Sequence, residues 1–165
     1  MKQDKKYITP SGFLKTMSFL HLGIAATPII MGVLFYSQAD NILLDFSGSG
    51  DMFLAIVPLI ALSSIVMGNF IFKKIMGKVP KELGLKEKLA KFQTVSIIKY
   101  ALLEGAALFS MVIFSNTQNL AYIIIGAFLV LFLFLQKPTK NKIEHVLGLT
   151  GEQKAQFNKL DMPLG

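Results

Sequence analysis

The chain has no cysteine, no tryptophan and no arginine, and only 16% of its 165 residues are charged. Without cysteine, a disulfide-stapled secreted fold and thiolate metal sites are excluded. A charged fraction far below the ~25% of soluble domains sits beside 53% hydrophobic residues. That combination excludes a disordered chain. It also excludes an ordinary soluble one, because a ~150-residue globule still leaves about a third of its chain surface in water. The missing arginine, with little aromatic interleaving among the lysines, argues against nucleic acid as a partner.

What is present is apolar and lysine-rich. Mean hydropathy is +0.55, and 17 lysines against 10 acidic residues give a formal charge of +7. A membrane-spanning helix needs about 20 mostly apolar residues, and residues 13–36, 52–72, 95–115 and 120–135 satisfy or approach this. The last is short, ~24 Å at 1.5 Å per residue, and is expected to borrow Asn119, Gln136 and the stem of Lys137. The reading is an all-α, four-span bundle of two helical hairpins. Residues 1–12 form an N-terminal end, 13–137 a single membrane domain with a basic loop at 73–94, and 138–165 a tail.

Sorting charge by segment orients the chain. Residues 38–51 hold Asp40, Asp45 and Asp51 and no lysine, whereas 73–94 hold seven lysines. Lys2, Lys5, Lys6 and Lys15 lie at the N-terminal end, and Lys137, Lys140, Lys142, Lys154 and Lys159 lie after the last span. The positive-inside rule then puts both termini in the cytoplasm, and a bacterial inner membrane is expected. Ser37-Gln38-Ala39 resembles a signal-peptide cleavage site. The preceding apolar run is much longer than the usual 7–15 residues of an export signal, so the first span is read as retained.

The basic connection is expected to start a helix at 79–82, with Pro80 in its first turn. Leu85, Leu89 and Phe92 recur on one face, and Lys86, Lys88 and Lys91 take the other. One reading is a short amphipathic helix on the inner leaflet, with Lys81, Lys86, Lys88 and Lys91 touching anionic lipid; the other is a solvated basic loop. In the tail, 139–147 is expected to be helical with Ile143, Val146 and Leu147 on one side. Thr150-Gly-Glu-Gln153 spells a capping box for a second short helix. An offset of 78 residues aligns Thr16, Ser18 and Ser37 with Thr94, Ser96 and Ser115, the pattern a duplicated hairpin would leave.

Glu104 asks for a function. It lies about ten residues into its span, ~15 Å deep, where a charge costs at least ~2.5–3.5 kcal/mol and marks a bundle interior or a pathway. Ala101 and Gly105, and Ala106 and Ser110, form small-xxx-small pairs that admit a neighbouring helix. His21 is its expected titratable partner, with Tyr100 on the same face and Ser63, Ser64 and Asn69 on the second span. Lys99 is expected to snorkel to the inner interface. No catalytic set, phosphate-binding glycine loop or metal constellation is present in the sequence, and no cofactor is expected.

Two resemblances rest on these residues. The run Ile97-Ile-Lys-Tyr-Ala-Leu-Leu-Glu-Gly-Ala-Ala-Leu-Phe109, then Asn119-Leu and Lys137-Pro-Thr-Lys-Asn-Lys-Ile143, resembles a family of small, uncharacterised bacterial four-span proteins. That likeness implies a topology and no activity. Locally, Glu104-Gly-Ala-Ala-Leu-Phe-Ser-Met-Val-Ile113 resembles the carboxylate helix of rotary ATPase proteolipid subunits, which would make Glu104 an ion carrier. The carboxylate there lies on the second helix of a hairpin and faces a glycine-rich partner; here it lies on the first. The leading expectation is a non-enzymatic accessory or scaffold component with a protein partner or a second copy in the membrane. The alternatives are a proton- or cation-coupled carrier or channel using Glu104 and His21, and a membrane enzyme acting on a lipophilic substrate.

Overall fold

The computed structural model describes residues 9–48 and 50–164, which form six helices. Lys2, Lys5 and Lys6 lie outside the described residues. The helices are α1 (Pro10–Ser37), α2 (Phe53–Met76), α3 (Leu85–Thr117), α4 (Leu120–Leu135), α5 (Lys140–Leu147) and α6 (Gly151–Asn158). α1, α2 and α3 are each long and apolar enough to cross a membrane. α4 qualifies only together with α5, across a 75° bend, so the number of spans is three or four.

Local chemistry explains the helix ends. Thr9 caps α1, its hydroxyl accepting from the Gly12 amide at 3.1 Å with Pro10 in the first turn. Asn119 caps α4 by accepting from Ala121, and Thr139 caps α5 by accepting from Lys142. Pro28 and Pro58 sit inside α1 and α2 without ending them, as apolar helices packed against neighbours allow.

α3 is the centre of the molecule, packing against α1, α2 and α4, while α4 also touches α1 and α2. Close approach of α3 and α4 depends on Gly126, where a Cβ would collide with Met111 Cε and touch the Ala107 carbonyl. The expected separate helix in the basic loop is instead the first turns of α3, continuous over 33 residues. At 1.5 Å per residue it is ~50 Å long, well beyond a ~30 Å hydrocarbon core. Leu85, Leu89 and Phe92 do share one buried face, but that face belongs to the protein core. Residues 80–83 form a turn, closed from Leu83 N to Pro80 O.

The two ends of the bundle are tied differently. At one end the Ser11 amide donates to Leu160 O and its hydroxyl to Asp161, so the start of α1 meets the tail. At the other, Leu43 pairs with the α3–α4 turn through Leu43 N to Gln118 O and Leu120 N to Leu43 O. Buried Asn119 clamps the same loop, accepting from Asp45 N and donating to Asp45 O. Gln118 takes a left-handed conformation to make this turn. The Ser47 amide donating to Asp45 holds that carboxyl below its ordinary value.

Candidate functional site

α4 has only 16 residues, and its C-terminal end lies beside the lysines that follow it. A helix leaves its final four carbonyls without intrahelical partners, and in an apolar medium each must find a donor. At Leu133 O and Phe134 O the amides of Gln136 and Lys137 are those donors, at 2.9 and 3.1 Å, and other helices add further bonds. His21 of α1 donates from Nε2 to Leu133 O at 2.8 Å; a carbonyl only accepts, so Nε2 carries the hydrogen. Tyr100 of α3 donates to Gln136 O at 3.1 Å, and Lys142 of α5 to the same oxygen at 3.2 Å. Lys99 of α3 donates to the Gln136 side-chain oxygen at 2.7 Å. Cations at a helix C-terminus also meet the negative end of its dipole.

The aromatic rings stiffen this arrangement. The His21 and Tyr100 rings meet edge to face with centroids 4.9 Å apart, and Phe134 lies 6.3 Å from His21. His21 is 1% exposed and Tyr100 3%. Lys99 turns toward the lysine-rich end but stays within the protein: it is 8% exposed, its stem lies against Gly68, and its ammonium sits 5.2 Å from the Phe72 ring centroid. A side chain larger than Gly68 would occupy the path that Lys99 takes inward.

The structure thus brings His21 and Tyr100 together but leaves Glu104 apart from them. Among the described residues the Glu104 side chain has no hydrogen bond and no ion pair, and Glu104 is partly exposed on α3. Its neighbours Ala101 and Gly105 are exposed, and with Ile98 and Val112 they form one stripe at helical spacing. α1 and α2 flank α3 but barely touch each other, so this stripe is the side of α3 that no helix covers. Beside it lies a groove of about 410 Å³ that includes Ser63, Ser64, Ala101 and Gly105. Ser63 is exposed, and Ser64 spends its hydroxyl on Ala61 O of its own helix at 2.7 Å. Asn69 is half-buried on α2, nearer the lysine-rich end, and joins neither group.

Of the four lysines expected to meet lipid, Lys81, Lys86 and Lys91 are exposed. Lys88 is a correction: it is 3% exposed and donates to Lys81 O at 2.7 Å and to Gln153 at 2.8 Å. The Gln153 amide in turn donates to Leu83 O at 2.9 Å. The capping box read at Thr150 is therefore not made; Thr150 caps no amide with its side chain, and Gln153 serves as a bolt between tail and loop.

Sequence reasoning missed Gln136, Asn119 and Lys142. Asn119 directly before an apolar run was a legible cap signal; the other two become visible only once α4 is seen to end at the lysine-rich side. Among the described residues no three His, Asp or Glu side chains group as metal ligands. Comparison with known proteins finds no matching family model, no matching characterised protein and no matching solved structure.

Proposed function

We propose that this chain is a four-span protein of a bacterial inner membrane with both termini in the cytoplasm. It acts there as a non-enzymatic accessory or scaffold component that receives another membrane helix on the open side of α3. α4 is the fourth span, with α5 turned 75° from it at the lysine-rich end, and the segregation of lysines from the acidic 38–51 segment supports the orientation.

One observation carries the reading. Glu104 sits midway along the apolar part of α3 without an internal partner, on the edge of a stripe of small residues. An acid at that depth is costly facing lipid, and small residues permit the close approach that lets an incoming helix bond to it. His21, Tyr100 and Lys99, by contrast, are engaged at the C-terminal end of α4.

The cysteine-free sequence makes the test simple. Single cysteines at Ala101 or Gly105 should cross-link in membranes, to a second copy or to one discrete partner, far more efficiently than a cysteine at exposed Phe19 or Leu131. Adding Glu104→Leu should reduce that yield. Equal yields at all four positions would refute the reading.

A further inference from the structure

We infer that Lys99 and Lys142 form a phosphate-binding site at the lysine-rich end of the bundle, suited to an anionic phospholipid headgroup or a free phosphate. Both ammonium groups reach the same Gln136 side-chain oxygen, at 2.7 and 3.5 Å. Their nitrogens therefore lie no more than about 6 Å apart, where like charges repel. Two long side chains that could have reached water instead converge, one of them buried.

Nothing within the described residues neutralises the pair. Lys99 donates only to Gln136 Oε1, and Lys142 only to the two oxygens of Gln136. The described ion pairs lie elsewhere, from Lys140 and Lys154 to Glu144. The C-terminal end of α4 supplies roughly half a negative charge, which leaves more than one positive charge unmatched. Each ammonium carries three hydrogens, and neutral partners do not use them all.

The surroundings select the ligand. A small cleft lined by Phe72, Phe92, Ser96, Lys99, Gln136 and Lys142 encloses about 10 Å³, room for about one water. A phosphate therefore sits at the mouth and sends an oxygen inward, with the half-buried ring of Phe72 beside it and buried Phe92 closing the inner end. Lys99 stands near the start of the apolar part of α3, and Gln136 immediately follows α4. Basic pockets between spans at this level are where acidic headgroups bind. Lys99 and Lys142 are distinct from the surface lysines of the loop, and the site is independent of the α3 stripe.

The test uses the full chain purified in mild detergent, with melting temperature and native mass spectrometry as readouts. Phosphatidylglycerol should raise the melting temperature and stay bound, and phosphatidylcholine should not. Lys142→Gln and Lys99→Gln should each weaken phosphatidylglycerol binding by roughly tenfold, the scale of one charge-assisted bond, while Lys159→Gln, at an exposed tail position, leaves it unchanged. If millimolar inorganic phosphate alone stabilises the protein, and both variants abolish this, the site serves a free anion. Should Lys99→Gln fail to fold, Lys142→Gln decides the matter. Equal binding by wild type and Lys142→Gln, or an equal loss in Lys159→Gln, would overturn the proposal.

Discussion

The imidazole of His21 donates to the carbonyl of Leu133, 112 residues further along the chain, at 2.8 Å. It is a second bond to that oxygen, which also accepts from Gln136 N at 2.9 Å, and it ties the middle of α1 to the last turn of α4. Truncating it should therefore do more than remove a polar contact. His21→Ala should destabilise the protein by roughly 2–4 kcal/mol, mostly through the cavity left behind. His21→Phe, which keeps the volume, should cost only about 1 kcal/mol. Denaturant titration in detergent micelles measures both, and equal losses would show that packing contributes little.

Tyr100 supplies the second cap. Tyr100→Phe removes the donor to Gln136 O but leaves Lys142 on the same oxygen. The expected cost is ~0.6 kcal/mol, the average for an interhelical bond in a membrane. A loss above ~2 kcal/mol in the same titration would mean that Lys142 cannot hold the carbonyl alone.

Gly126 tests the packing of α3 on α4. Gly126→Leu should destabilise by about 1–3 kcal/mol through overpacking, and Met111→Ala in the same chain should recover part of it. The coupling is expected because a Cβ at this position meets Met111 first. A double-mutant cycle with additive effects would place the strain elsewhere.

Glu104 should behave unlike these core residues. With no internal partner to lose, Glu104→Leu should leave the isolated chain as stable as wild type or more so, because a costly polar group leaves the apolar zone. Vesicles reconstituted with wild type and with Glu104→Gln should both show ion flux no greater than empty liposomes. A flux that Glu104→Gln abolishes would favour a carrier.

Lys88 holds the tail to the loop through Gln153. Lys88→Met should leave the bundle folded yet raise hydrogen exchange in residues 151–158 and 80–84, because a local unit loses its bolt. Gln153→Ala should give the same pattern. Unchanged exchange would mean that Phe157, fully buried in the core, is enough to dock α6.

The membrane class and the helices themselves were legible in residue order. Apolar run length is a local property, and α4 spans the very residues 120–135 expected from it. The start of the tail helix at Thr139 likewise depends on a signal that acts within one turn. Charge segregation between segments is also read along the chain, since it needs no contacts. What residue order could not decide was which polar groups meet. His21 was expected to face Glu104, and Lys99 to reach outward. Tertiary structure instead sends His21, Tyr100 and Lys99 to the end of α4, where Leu133 O, already accepting from Gln136 N, and the oxygens of Gln136 take further donors that an apolar surrounding cannot supply. That demand arises only when a 16-residue helix is packed beside a 33-residue one, a mismatch of lengths that no single segment reveals. The same packing leaves Glu104 outside every internal bond, so its chemistry depends on what approaches α3 from the membrane.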